Sequence, residues 1–186
     1  MTLKPHQVLF KRLLDITLAI IGVILSFPVL GLLLIIAAVN TKSSGIFAQR
    51  RIGKNGKPFL LFKLKTMRND NEASTFITTS KDKRITNFGR FLRKTKLDEL
   101  PQLWNVLIGK MSFVGPRPDV PGYADQLQGE DRIILSIRPG ITGPASLAFR
   151  DEEELLAKQE NPQQYNDEVI WPEKVRINKE YIKNYS

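Results

Sequence analysis

Hydrophobic and polar positions divide this chain into two unequal parts. From Ile16 to Val39 no residue is charged, a run long enough for a helix of about 20 residues inside a bilayer. The run is apolar all round, unlike a surface helix with one apolar face. It is too long for a cleavable signal sequence and has no clear small-x-small site before the polar sequence resumes. Pro28 falls inside it, and a proline there removes a helical hydrogen bond and crowds the preceding turn, which predicts a break. Lys11 and Arg12 precede the run, and Lys42, Arg50, Arg51 and Lys54 follow it. Positive charge on both flanks disfavours placing either outside. A helix that enters, bends at Pro28 and returns to the cytoplasmic face satisfies both observations; a conventional span with a short outside N-terminus is the alternative. The division expected is a re-entrant membrane helix over 1–40 and a cytoplasmic, membrane-associated catalytic region over 41–186.

After residue 41 the apolar runs become short. Ile46–Ile52 and Phe59–Leu64 flank the turn-rich Gly53-Lys54-Asn55-Gly56-Lys57-Pro58, the signature of a β-hairpin. The polar stretch from Arg68 to Ser80 predicts a loop. Thr86–Lys94 carries a cationic cluster, and a helix through Leu103 and Val106 is expected to begin close to Asp98, because Pro101 fits only a first turn. Thr95-x-x-Asp98 also reads as a cap of a longer, kinked helix. Asp151–Lys158 reads as a helix with an acidic first turn. Trp171–Lys183 reads as a basic, aromatic helix that either lies on a membrane or is solvated. The fold class expected is α+β, predominantly helical and membrane-associated, with a hairpin and interfacial amphipathic helices.

Composition narrows the chemistry. The 186 residues carry a net charge of +9, which points to an anionic partner: a nucleic acid, an anionic membrane or a phosphorylated substrate. No cysteine is present, which excludes disulfides, thiolate metal sites and a cysteine nucleophile. The single histidine, His6, lies near the N-terminus, so a Ser/His/Asp triad is excluded. No motif that reads RNA or DNA appears.

The adjacent carboxylates Asp98 and Glu99 are the strongest chemical signal, although on their own they also read as acidic residues capping a helix. Downstream, Pro116-Arg117-Pro118 brackets an arginine with two residues of fixed φ, which biases Arg117 toward an extended conformation. A guanidinium so held suits a carboxylate partner or bidentate phosphate recognition.

Eight motifs follow one another: Lys11-Arg12-x-x-Asp15, the apolar run with its central proline, Gln49-x-Arg51-x-Gly53-x-x-Gly56-Lys57-Pro58-Phe59, Lys63-x-x-Thr66-Met67, Asp82-x-Arg84-x-Thr86, Leu97-Asp98-Glu99-Leu100-Pro101-Gln102, Pro116-Arg117-Pro118 and Pro139-Gly140-Ile141-Thr142-Gly143. In this order they resemble the monotopic phosphoglycosyl transferases, bacterial sugar transferases, from Lys11 to about Arg150 and more loosely to Ser186. The resemblance implies transfer of a sugar-1-phosphate from a UDP-sugar to a polyprenol phosphate (undecaprenyl phosphate), with release of UMP. This would be the first membrane step of glycoconjugate or polysaccharide assembly, at the cytoplasmic face of the bacterial inner membrane. By that likeness Asp98 is the nucleophile that takes up the phosphosugar, Glu99 is its partner, and magnesium is the cofactor, close to Asp98. Lys63, Arg93, Arg117 and Arg150 are the corresponding phosphate-binding cations. The phospholipid bilayer and downstream glycosyltransferases are the implied partners, and nucleic acid is not.

The chain departs from the family's commoner pattern in three places. Phe27 rather than a serine precedes Pro28, Lys65 stands where arginine is common, and Pro144–Arg150 lacks the usual glutamine. Two other functions compete with transfer. The carboxylates could instead activate water in a metal-dependent phosphohydrolase, or the chain could be a non-catalytic, membrane-tethered anion binder, which gives no reason for the Leu97–Pro101 cassette.

Overall fold

The computed structural model describes residues 3–69 and 82–185. The loop expected from Arg68 to Ser80 therefore lies, after its first two residues, outside the described residues. The chain opens with a helix, α1, over Pro5–Thr41, about 55 Å long at 1.5 Å per residue. Its helical backbone runs through Pro28, so the expected break does not interrupt the helix. Proline costs one hydrogen bond and local crowding, and the turns on either side continue regardless.

Two sets of contacts fasten α1 to the rest of the chain. Near its start, Arg12 donates to the carbonyls of Val106 (2.7 Å) and Leu107 (2.9 Å). Asp15 accepts from the Ser112 hydroxyl and the Phe113 amide, both at 3.0 Å. Ala19 is wholly buried against Phe59, Leu61, Val106 and Met111. Near its end, Leu33 packs with Leu64 and Leu92, and Ala37 is wholly buried. The opposite face is bare: Phe10 is 67% exposed, Leu25 72%, Phe27 73% and Val39 71%. Among the described residues α1 is the one helix long and apolar enough to cross a membrane.

The predicted hairpin forms. Strands β1 (Ile46–Ile52) and β2 (Pro58–Leu64) pair antiparallel, with Ile46 opposite Leu64 and Ile52 opposite Pro58. Their connection is a tight turn in which Asn55 (φ 59°) and Gly56 (φ 75°) take left-handed conformations, the reason such residues punctuate the sequence there. The outer edge of β2 is closed by Asn105, wholly buried, which donates to the Leu60 carbonyl (2.7 Å) and accepts from the Phe62 amide (3.1 Å). A side chain thus satisfies an edge that would otherwise offer unpaired backbone groups.

Helix α2 spans Asn87–Thr95, with the Thr86 hydroxyl accepting from the Gly89 amide at its start. It approaches Thr66 so closely that a Cβ on Gly89 would lie 2.1 Å from the Thr66 carbonyl oxygen. A 3₁₀ turn over Leu97–Glu99 follows, and then α3 over Gln102–Leu107. The helix expected to begin close to Asp98 therefore starts later and is short. Thr95 does not cap it; its hydroxyl bonds back to Phe91 and Leu92 in α2.

Two three-residue strands, β3 (Ser112–Val114) and β4 (Gly140–Thr142), pair in parallel. Their union needs glycine, because a Cβ on Gly140 would lie 2.3 Å from the Gly115 amide nitrogen. The short helices α4 (Pro144–Ala148), α5 (Glu152–Leu156) and α6 (Pro162–Tyr165) lead to α7 (Trp171–Lys183). The apolar side of α7, for which a membrane surface and solvent were both open from sequence, packs inward. Val175 and Ile182 are buried with Ile52, Ala124, Ile134, Leu135 and Ile137, so that burial already satisfies the face a membrane would have covered.

Candidate active site

Lys96 ends α2 in a left-handed conformation (φ 59°), and the chain turns at once through Leu97–Glu99. That change of direction buries both carboxylates, Asp98 at 6% and Glu99 at 8% exposure. They face different surroundings. The Oε1 of Glu99 accepts from Lys63 Nζ (3.3 Å) and from Arg117 Nη2, and its Oε2 accepts from Arg117 Nη1 (3.4 Å). Asp98 Oδ1 is buried and has no hydrogen-bond partner, although Lys63, Arg93 and Lys96 are near enough to act on its charge.

The electrostatic consequences oppose each other. Burial pushes the Asp98 carboxyl above its ordinary value, with the Glu99 charge adding to it against the pull of Lys63 and Arg93. Burial would raise Glu99 too, but Arg117 and Lys63 override it and hold the group at about 2. Burial and the neighbouring Arg117 draw the Lys63 ammonium below its usual range. Two adjacent carboxylates whose environments push them apart in this way are the pattern expected of chemically distinct roles.

Arg117 is placed by three elements. Prolines hold its backbone, its Nη1 also donates to the Ile141 carbonyl (3.1 Å) in β4, and the Gly140 amide donates to the Pro116 carbonyl (2.8 Å). The Pro116–Pro118 and Pro139–Gly143 motifs are thus two sides of one construction. From the hairpin, Arg51 Nη1 donates to the Pro118 carbonyl (3.2 Å) while Gln49 holds the same guanidinium at 2.7 and 3.0 Å.

Of the cations named from sequence, Lys63 and Arg117 touch Glu99, and Arg93 acts on Asp98 from α2. Arg93 Nε donates to Thr66 Oγ1 (3.2 Å), and its Nη1 lies 3.3 Å from both carboxylate oxygens of Glu153 in α5. Arg150 stands apart: its side chain is 80% exposed and pairs with its neighbour Asp151 at 3.1 Å. Pro28 is an exposed residue within α1. Sequence reasoning gave no role to Asp119, whose carboxyl burial raises to about 6 beside Lys174, Arg51, Glu152 and Arg117. Its position directly after the Pro-Arg-Pro motif was the available signal. Glu152 and Glu153, read only as first-turn acids, pair with Lys174 (2.6 Å) and Arg93.

Among the described residues no group of three or more His, Cys, Asp or Glu side chains converges as a metal cage. Magnesium, the cofactor expected, binds through one or two carboxylates, keeps several waters and shares substrate phosphates. Glu99 is occupied by two cations, and among the described residues the unpartnered oxygen of Asp98 is a carboxylate donor of the kind such an ion takes.

A family model described as bacterial sugar transferase matches residues 6–186. The chain is 41% identical over 172 residues to the UDP-glucose:undecaprenyl-phosphate glucose-1-phosphate transferase of Klebsiella pneumoniae, covering 88% of this chain and 36% of that one. It is 38% identical over 167 residues to the protein of the same name in Escherichia coli, covering 87% and 36%. A third relative, the uncharacterized sugar transferase EpsL of Bacillus subtilis, is 31% identical over 178 residues, covering 96% and 80%. The chain thus spans about a third of the first two proteins and most of the third. Almost none of the described fold falls outside the family match, and the chain belongs to the bacterial sugar transferases, of the phosphoglycosyl transferase family.

Proposed function

We propose that the chain transfers a sugar-1-phosphate from a UDP-sugar to a membrane polyprenol phosphate, with Asp98 as covalent nucleophile. The observation that carries this reading is the buried, unpartnered Oδ1 of Asp98 beside a carboxylate already neutralised by Lys63 and Arg117. A buried carboxylate oxygen without a donor is costly to leave unmade, and a substrate would relieve that cost. In the first step an Asp98 oxygen attacks the sugar-bearing phosphorus, a P–O bond to the uridylyl phosphate breaks, and UMP leaves. In the second the polyprenol phosphate oxygen attacks the same phosphorus, which restores the Asp98 carboxylate and gives polyprenyl-diphosphate-sugar. Carboxylates are competent covalent nucleophiles of this kind.

Lys63, Arg93 and Arg117 then have a common task, to offset the donor's charge so that an anionic nucleophile can approach. Glu99 holds Lys63 and Arg117 in position and stays ionised throughout. Arg93 binds phosphate after releasing the exposed Glu153, and Arg150, on its solvent-facing side chain, reaches the donor only by turning from Asp151. Magnesium, held by Asp98 and the diphosphate, would supply further charge neutralisation.

The contacts of α1 support a monotopic placement with both ends at the cytoplasmic face. Gly22 lies against Leu103 of α3, and Leu30 packs in the cluster of Leu64 and Leu92. The rise from Gly22 to Leu30 is about 12 Å, far less than the roughly 30 Å of hydrocarbon. A crossing helix would have to pull one of these contacts to the far side. The bare apolar face of α1 would then be the surface given to lipid, which brings the polyprenol carrier to the site.

The test is incubation of the full chain with magnesium, undecaprenyl phosphate and, in turn, UDP-glucose, UDP-galactose, UDP-N-acetylglucosamine and UDP-N-acetylgalactosamine. UMP release that requires the lipid phosphate for continued turnover is expected with at least one donor. Steady UMP release without any acceptor would favour the phosphohydrolase. Labelling of a cysteine placed at residue 5 from outside intact cells would contradict the topology.

A further inference from the structure

A second group of cations, sharing no residue with the carboxylate site, surrounds an open pocket of about 50 Å³ at the root of α1. Lys11, Arg12, Lys54 and Arg138 line it, with Asp15 as its one carboxylate. Part of this charge has a structural use. Arg12 and Arg138 satisfy carbonyls at the end of α3, Arg138 through Nε to Gly109 (2.8 Å), where cations oppose the helix dipole. Lys11 donates to Ser112 Oγ at 2.5 Å.

What remains is unspent. Among the described residues neither the terminal nitrogens of Arg138 nor the ammonium of Lys54 has a hydrogen-bond partner. Asp15 is already taken by Ser112 and Phe113, which leaves four positive charges facing one negative. The hydroxyl of Ser136, also in the pocket wall, is buried and unpartnered. Such a hydroxyl needs a ligand or water to complete it, and three excess positive charges select an anion. Burial and Arg138 together draw the Lys11 ammonium below its ordinary range, against Asp15, as expected of cations crowded without enough counter-charge.

We infer that this pocket is a second anion site, for a phosphate group bound by Lys54, Arg138, Lys11 and the Ser136 hydroxyl. Two sources offer that chemistry: a phospholipid headgroup and a soluble phosphate. The inference does not rest on the transferase reading and stands or falls without it.

The experiment compares Lys54→Gln with Lys57→Gln in the full chain. Both remove one charge from the same turn, but Lys57 is exposed and absent from the pocket. Sedimentation with phosphatidylcholine vesicles, with and without phosphatidylglycerol, measures the gain from anionic headgroups. Phosphorus NMR titration of inorganic phosphate into the detergent-solubilised chain measures the free anion. A headgroup site predicts that Lys54→Gln loses about fivefold of the phosphatidylglycerol gain while Lys57→Gln keeps it. Phosphate binding lost in Lys54→Gln alone, with no preference for phosphatidylglycerol, would assign the site to a soluble phosphate. Equal losses in both variants, or no binding in either assay, would overturn the site. Matching melting temperatures of the two variants and the parent exclude misfolding as the cause.

Discussion

Asp98 and Glu99 are neighbours in sequence and almost equally shielded from water, but the spaces they face have opposite character. Glu99 meets two cations and is held ionised at about 2. Asp98 meets none by hydrogen bond, keeps an oxygen without a partner and is pushed upward by burial. Burial is common to both, so it cannot be the source of the difference; the placement of Lys63 and Arg117 is. One carboxylate contributes stability by fixing the cations, and the other is left costly, a division often found where stability and function compete.

Replacing each member separately tests that division. The largest effect is expected for Asp98→Asn, which should lower turnover by ~10³-fold or more and yet raise the melting temperature. Its folded state holds a proton more tightly than the unfolded chain does, so the ionised group costs stability at neutral pH and the amide removes that cost. An unchanged or lowered melting temperature, read by calorimetry, would erase the contrast with Glu99.

Glu99→Gln should act in the reverse sense and destabilise the fold at neutral pH by about 2 kcal/mol, discounted because Arg117 is partly exposed. The parent's advantage should disappear as pH falls from the ordinary 4.5 toward 2, because the unfolded chain takes up that proton first. The same variant should move the acidic limb of the rate profile to lower pH, since the Glu99 charge helps to raise Asp98. Denaturant melts across pH and a pH–rate profile check these two consequences.

Arg117→Lys keeps the charge but loses the fork that meets both Glu99 oxygens and Ile141. About a tenfold fall in kcat/KM is expected, with a smaller stability loss than Glu99→Gln. The smallest effect belongs to Arg150→Gln. With an exposed ion pair to Asp151 as its only contact of this kind among the described residues, it should change stability by less than about 0.5 kcal/mol, so any fall in kcat/KM there reports donor binding alone.

The sequence made some of this readable and not the rest, for identifiable reasons. The apolar helix and the hairpin were legible because an uncharged run and a turn between Ile52 and Phe59 are local signals. The carboxylate pair stood out by adjacency, and its nucleophile reading came from the family likeness. The 3₁₀ turn was hidden, because the spacing of Leu92, Leu97, Leu100 and Leu103 fits one kinked helix as well as two helices with a hinge at Lys96. The opposite environments of Asp98 and Glu99 were also hidden, since they depend on Lys63 and Arg117 arriving from distant segments. The pairing of β3 with β4 rests on three residues each, too few for any period to show. For α7 the composition suited a membrane, and only the fold reveals that Val175 and Ile182 already have partners.

The central claim is that Asp98 itself accepts the phosphosugar. Intact-protein mass spectrometry, after brief exposure to magnesium and whichever tested UDP-sugar releases most UMP, without lipid acceptor, examines it most directly. A single added phosphosugar that maps to Asp98, vanishes on addition of undecaprenyl phosphate and is absent from Asp98→Asn is the result predicted. UMP release with no added mass, or an adduct that persists in Asp98→Asn, would contradict it.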